Sequence, residues 1–585
     1  MAFSGGVKLG DLDDFIAPSQ ECVKPLIQAA EGGAAAKLTA AAESKAPLGR
    51  VAREEVQVQR PNLIKSKKSA DKKAEIGQVT LSDCLACSGC VTSAETVLLQ
   101  EQSGAEFLKR AAEARLTVVS ISGEARTSLA VHCGESPLLI LQKLATGLRH
   151  LGADYVLECS AAEALALLEG KAEFLRRFRE VGGKRLPMLT SHCPGWTCYA
   201  EKVVDPEVLP HLGELRPPQQ IQGRLVKTCL LEAHNQRRLH RWWRSRSPLF
   251  AAECWWWLRP VLGPLDGPQG FQPLAPVDVY HALVQPCFDR KIEAARPSFE
   301  VPGAAGVREV DTVLTATELL DLCRGVVATL ATVAAAEAMS DGSEERLGAL
   351  PPCSLDSEVL TDLCLGDLRQ GRPQPLLCSA PENASSGGFL EHVFRGAARE
   401  LFGVEPAAPL EFQTMQNEDM REVSLREPRT GRVLLRFVAA YGFRNIQNVI
   451  RRLRKEGCEP SQECGHFVEI MACPGGCLNG GGQIPAPKGS AARSRANKGE
   501  RLAELDRVHH EGGGTASLPP AEHPLVLPLY RYINDSAAGG VGDSSLTLEH
   551  LMGGDAVRRW LVAEWRSLKV DNEGNKVLGS SALKW

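Results

Sequence analysis

The stretch Glu469–Gln483, EIMACPGGCLNGGGQ, constrains this chain more than any other. It sets Cys473 and Cys477 four residues apart, with Pro-Gly-Gly between them and Gly480-Gly481-Gly482 just beyond. Side chains at i and i+4 share one face of a helical turn, so both thiolates can reach a single inorganic centre. The small residues between them let backbone amides approach sulfur closely. Zinc sites also pair cysteines at such short spacings, so the motif alone leaves zinc and iron–sulfur chemistry open.

A second segment, DCLACSGC, turns the argument towards iron–sulfur. Cys84, Cys87 and Cys90 form a C-x2-C-x2-C array, which suits three corners of a 4Fe–4S cubane, whereas tetrahedral zinc draws more often on two separated pairs. In bacterial ferredoxins such a run continues to a fourth cysteine that serves another cluster; here that position is Ala94. One cluster then needs a remote fourth ligand, and Cys22 is the only cysteine upstream.

The bulk numbers fit this chemistry. At 585 residues the chain can bury more than one core, and 44% hydrophobic with 24% charged residues describes a soluble globular protein. Its net charge of −4 argues against wholesale nucleic-acid binding. No basic segment followed by an apolar one opens the chain, and no apolar run is long enough to span a bilayer. Nineteen cysteines without a secretory leader point to reduced thiols and metal ligation. A cytoplasmic location is expected.

Along the chain, an Ala/Gly-rich stretch over 28–46 and a lysine-rich run over 65–73 read as a spacer. The lysine run could also serve as a nuclear address, and the solvated linker is the preferred reading. From residue 112 the pattern is α/β. Strands are expected at Arg115–Ser122, Tyr155–Glu158 and before Cys287, and helices at Leu138–His150 and Ala161–Phe178. Further on, Gly388–Phe402 and Asn445–Arg454 read as helices, with strands at Val433–Ala440 and Val468–Met471. Residues 235–269 carry five of the nine tryptophans among arginines. Such interleaving can bind single strands or a membrane surface, but a surface insertion is the preferred reading. Residues 484–500 read as an exposed loop leading to C-terminal helices.

Two single cysteines complete a constellation. Cys193 lies in LTSHCPGW at an expected strand-to-helix turn, where a helix dipole favours thiolate. Cys287 lies in QPCFDRKIE at the end of an expected strand. With Cys473 and Cys477 they supply four thiolates, enough for a second cubane.

TSHCPGW, then PCFDRKIE, then EIMACPGGCLNGGGQ, in that order, resembles the cluster-binding domain of iron-only hydrogenases. The chain is most similar to their eukaryotic relatives, the cytosolic iron–sulfur assembly factors also called nuclear prelamin A recognition factor-like proteins. DLDDFIAPSQECVKP (11–25), GFLEHVFRGAARELFG (388–403) and AYGFRNIQNV (440–449) support the resemblance. It implies an α/β fold, a two-lobed hydrogenase-like domain with parallel sheets flanked by helices, preceded by a small N-terminal iron–sulfur region. The expected division is residues 1–110, lobe 1 over 111–330, lobe 2 over 331–490, and a C-terminal helical region over 491–585. It further implies two 4Fe–4S clusters, one on Cys22, Cys84, Cys87 and Cys90, and a deeper one on Cys193, Cys287, Cys473 and Cys477. The other eleven cysteines, Cys198, Cys458 and Cys464 among them, read as packing or surface thiols.

The same resemblance argues for a carrier rather than an enzyme. Hydrogenases place a proton-relay cysteine directly before the first cluster ligand, a methionine before Pro-Cys, and a lysine three residues after that cysteine. Here those positions are His192, Gln285 and Arg290. Arginine keeps the charge, but its planar fork does not reproduce a lysine point donor. Cys477 would then hold the cubane alone, with no di-iron unit beside it. The chain ends on Trp585, as the assembly factors end on tryptophan, with Lys584 where an acidic residue often stands. A terminal aromatic with a free carboxylate is a compact recognition handle. In the family it docks on the cytosolic targeting complex, a β-propeller subunit with a helical-repeat partner. The expected function is cytosolic iron–sulfur assembly, serving client apoproteins without membrane or nucleic-acid partners. An active iron-only hydrogenase, or a prelamin- or nucleic-acid-binding protein, is the alternative.

Overall fold

A computed structural model describes residues 101–180, 185–246, 271–335, 388–455, 465–485, 495–511, 519–538 and 546–566. Cys22, Cys84, Cys87, Cys90 and Trp585 lie outside these residues, as do the lysine-rich run and Trp255, Trp256 and Trp257.

Two sheets organise the molecule. Helix α1 (Gly104–Glu113) leads into β1 (Leu116–Ile121), α2 (Gly123–Cys133) and α3 (Pro137–His150). Then come β2 (Tyr155–Glu158), α4 (Ser160–Arg179), β3 (Met188–Thr190) and α5 (Pro194–Val203). Helix α6 (Pro218–Leu225) runs through a π turn into α7 (Leu231–Arg246), followed by β4 (Val279–Gln285), α8 (Asp289–Ala294), β5 (Thr312–Thr315) and α9 (Ala316–Ala335). The remainder is α10 (Phe389–Phe402), β6 (Gln413–Asn417), β7 (Met420–Arg426), β8 (Val433–Tyr441), α11 (Phe443–Lys455) and β9 (Phe467–Met471). Helices α12 (Arg495–Glu511), α13 (Val526–Ala538), α14 (Leu548–Leu551) and α15 (Asp555–Leu561) follow.

The first sheet has the order β2-β1-β4-β5 and is wholly parallel. Every residue of β1 and β4 is buried, as parallel strands covered on both faces must be. The second has the order β3-β9-β8-β7-β6; its first three strands are parallel, and β7 and β6 add an antiparallel edge. Strand β3 lies between β2 and β4 in sequence yet pairs with β9, so the two sheets interleave along the chain.

Helix starts follow local chemistry. Ser103 and Ser122 accept backbone N–H groups of Glu106 and Ala125, and Ser136 caps α3 ahead of Pro137. Helix α4 is buried along most of its length and brings Phe174 against Phe437 and Phe467, whose rings stack at 4.8 Å. The stretch expected as a loop to residue 500 is shorter: α12 begins at Arg495. The first twelve residues of the tryptophan-rich segment continue α7. Among the described residues no helix is long and apolar enough to cross a membrane.

Candidate metal centre

Parallel strands end together, and in α/β folds the ligand site lies beyond their carboxyl ends. Four strands of the two sheets obey this. Cys193 follows β3, Cys287 follows β4, Cys473 and Cys477 follow β9, and Glu124 follows β1. The register Thr190↔Glu469 sets the ends of β3 and β9 side by side.

The turn after β3 is fixed by Ser191. Its hydroxyl donates to Ile470 O and accepts Cys193 N–H at 3.0 Å, tying the two strand ends together. Cys193 is the N-cap of α5, with Pro194 in the first helical turn. Burial pushes its thiol up, opposed by N–H groups of Ala472 and Trp196 that point at the sulfur. Around Cys473 and Cys477 the glycines do the shaping. Gly475 and Gly476 take φ of +70° and +78°, where a side chain would strain the backbone. Asp419 Oδ1 accepts Gly475 N–H at 2.7 Å and holds the loop against the β6–β7 turn.

Gly480 and Gly482 bring this loop onto the end of β4. Gly482 N–H donates to Pro286 O at 2.8 Å, and a Cβ on Gly480 would lie 2.5 Å from the same oxygen. Pro286 is the residue before Cys287, so bare backbone on one side sets the approach of the two cysteine segments. Gly195 performs a similar service, since a Cβ there would meet Asp289 Oδ2 at 2.8 Å and Ala472 Cβ at 3.4 Å.

The fold therefore brings Cys193, Cys287, Cys473 and Cys477 into one electrostatically coupled group. Burial raises the thiols of Cys287, Cys473 and Cys477, reinforced by Asp289 for Cys287 and by Cys193 for Cys473. For Cys477, Glu124 adds to the rise while Arg290 opposes it. Four desolvated thiols in one place are a poor packing choice and a good metal cradle, because a bound metal replaces their protons and neutralises thiolate charge. The donor set fits a cubane. The other cysteines among the described residues behave as packing groups: Cys159, Cys198, Cys229 and Cys323 are buried, and Cys133 is half-buried.

Of the three positions expected to distinguish a carrier from a hydrogenase, His192 and Arg290 lie beside Cys477, and Gln285 lines the same small cavity as both. His192 Nε2 is 3.5 Å from Cys477 Sγ, and burial with the nearby Arg290 pushes its pKa down to about 4, leaving a neutral ring. Arg290 ion-pairs with Glu293 at 3.2 Å, and Gln285 is buried beside it. Sequence reasoning missed Glu124, Asp289 and Asp419. A signal existed for Glu124, which directly follows the strand run in SISGEAR; Asp419 lies in a turn with no motif around it.

Relatives settle the family. The model of the iron-only hydrogenase large subunit, C-terminal domain, matches residues 115–240 and 269–481, and its break falls inside the tryptophan-rich segment. Cytosolic iron-sulfur assembly component 3 of Bos taurus is 38% identical over 538 residues, covering 90% of this chain and 92% of that protein. The chain belongs to this hydrogenase-like family of cytosolic assembly components. Protein NAR1 of Arabidopsis thaliana is 34% identical, again covering 90% of this chain and 92% of its own length. A solved structure of a single-residue variant of [FeFe]-hydrogenase HydA1 from Chlamydomonas reinhardtii shares the fold with a TM-score of 0.53. At 21% identity it covers 80% of this chain and 99% of its own.

Proposed function

We propose that this protein is a carrier in cytosolic iron–sulfur assembly, holding one 4Fe–4S cluster on Cys193, Cys287, Cys473 and Cys477 and a second on Cys22, Cys84, Cys87 and Cys90. The observation that carries the reading is the convergence of four thiols from three strand ends, Cys193 and Cys477 buried and Cys287 and Cys473 half-buried, in a chain whose relatives are named for that assembly. A bound cubane would supply one-electron redox chemistry, or iron and sulfide for transfer.

The protein's own part is to hold and shield. Ser191 and Asp419 fix the two loops, and the amides of Ala472 and Trp196 favour the Cys193 thiolate. Arg290 supplies the positive charge beside Cys287 and Cys477. His192, Gln285 and Arg290 together favour carriage over hydrogen turnover. In this reading Trp585 docks the loaded protein on a cytosolic targeting complex of a β-propeller and a helical-repeat subunit, for delivery to client apoproteins.

Anaerobic purification with iron and sulfide counts, Mössbauer and infrared spectroscopy tests this. The expected result is about eight iron per chain, falling by about four in Cys193→Ala or Cys473→Ala and separately in Cys87→Ala, without carbon monoxide or cyanide bands. Infrared bands from those ligands, or hydrogen evolution, would sink the carrier reading.

A further inference from the structure

Cys473, Pro474 and Gly475 form a half-exposed rim of the cradle, and a helix from beyond the hydrogenase-like match lies on it. That match stops at residue 481, whereas α12 spans Arg495–Glu511 and runs along α2 and the short 3-10 turn Cys477–Asn479. Leu502 of α12 seats on Gly475, where a Cβ would overlap Leu502 Cδ2 and lie 3.6 Å from its Cγ and Cδ1. Two polar anchors flank this contact. Arg501 Nη2 donates to Ile484 O at 2.9 Å, just past the glycine run, and His509 Nδ1 lies 3.0 Å from Thr127 Oγ1 on α2. Leu505, three residues after Leu502, is buried. Gly475 is thus held twice: Asp419 accepts its N–H, and Leu502 covers its backbone with carbon.

We propose that α12 is a retaining strap: Leu502, packed on Gly475, keeps the Cys473–Cys477 loop closed and sets how fast the cradle gives up its cluster. The release of a cluster rests on the cubane reading; the closure of the loop does not. A Pro-Gly-Gly loop has little side chain of its own to bury, so its apolar cover must come from a neighbouring element. Gly475 cannot supply that cover, because at φ +70° a side chain would strain the backbone, and it would also strike Leu502. A segment opens locally at a free energy set by the buried contacts and hydrogen bonds that opening breaks. Lifting this loop away from α12 breaks the Leu502 contact, so that contact enters the opening equilibrium directly. Leu502 acts on the two cysteines through Gly475 and is therefore a positioning residue.

The test strips full-length protein, purified anaerobically with its clusters, with a ferrous chelator and follows the loss of cluster absorbance. Running Cys87→Ala alongside identifies the phase that belongs to the cradle. Leu502→Ala should speed that phase about tenfold, the factor by which an opening equilibrium shifts on losing about 1.4 kcal/mol. Leu502→Met, which conserves volume, should restore the wild-type rate, and Glu500→Ala, on the exposed side of α12, should match wild type. A second readout needs no cluster: alkylation of Cys477 by iodoacetamide after iron removal, located by mass spectrometry, should also quicken about tenfold in Leu502→Ala. The buried Cys229 serves as the remote reference thiol. An unchanged cradle phase, unchanged alkylation of Cys477, or an equal gain at Cys229 would overturn the strap. If wild type held no cradle iron while Cys477 alkylation still rose in Leu502→Ala alone, the cubane reading would fall and the strap would stand.

Discussion

Replacing Gly480 by alanine tests whether the glycine run sets the distance between the cysteine segments. Gly480 has φ −64° and ψ 149°, which any residue adopts, so backbone strain plays no part. The added Cβ would lie 2.5 Å from Pro286 O and 3.0 Å from Cys477 O, both main-chain atoms that cannot rotate aside. Even a tight contact of 3.0 Å at Pro286 requires the loop and the end of β4 to part by about 0.5 Å, the tolerance within which a ligand constellation must be held. Overpacking of this kind costs about 1–3 kcal/mol. Gly481→Ala is the matched control, because its Cβ would meet only Phe288 Cδ2 at 4.0 Å. Iron counting and denaturant unfolding of the two variants should show Gly480→Ala destabilised and short of about half its iron, with Gly481→Ala like wild type. Full iron and unchanged stability in Gly480→Ala would refute the claim that bare backbone shapes the cradle.

Two further outcomes concern the frame around the site. His281 is wholly buried; its Nδ1 contacts Glu309 O, its Nε2 contacts Ser120 Oγ, and burial pushes its pKa down to about 3. Its depressed pKa contributes stability that is present above about pH 6.5 and lost as pH falls towards 3, roughly 2 kcal/mol of it by pH 5. The loss of stability from pH 7.5 to 5 should therefore shrink by about 2 kcal/mol in His281→Gln, and an unchanged pH slope would count against this account. Arg296 makes two 2.8 Å bonds to the buried carboxylate of Glu201, which also accepts Arg566 N–H. Arg296→Ala should cost about 3–5 kcal/mol by stranding that charge, with partial recovery on adding Glu201→Gln, measured by thermal unfolding.

Much of this architecture is legible in the sequence, and the gaps have physical causes. Tyr155–Glu158 is the strand expected, and the runs at Arg115–Ser122 and Val433–Ala440 lie within a residue of β1 and β8, because continuous apolar runs mark buried strands. Helix α2 left no such mark. Its GEARTSLAVHC is buried on nearly every side, with Arg126 ion-paired to Glu158 and Thr127 hydrogen-bonded to His509, so it shows no apolar stripe. Strand β6, QTMQN, is mostly exposed, pairs in the sheet with β7 and is tied to α11 by Asn417–Asn445 and Gln416–Asn448 side-chain bonds, and nothing in its composition announces an edge strand. The four cysteines of the cradle were readable because their motifs are dense in Pro and Gly. Glu124 and Asp419 reach it only through tertiary pairing.

The exchange of β3 into the second sheet bears on how the molecule can be made. A ribosome delivers Cys193 and Cys287 long before β9 exists, and until residues 467–471 emerge β3 has only the single bridge from Leu189 to Leu212. The first sheet can close around β1, β2, β4 and β5, yet it leaves two thiols without their partners. If the cradle holds a cluster as proposed, its insertion is a late event, possible only once residue 477 has been translated. A chain truncated beyond residue 477 could still keep every cradle cysteine, whereas one truncated before residue 473 keeps just two.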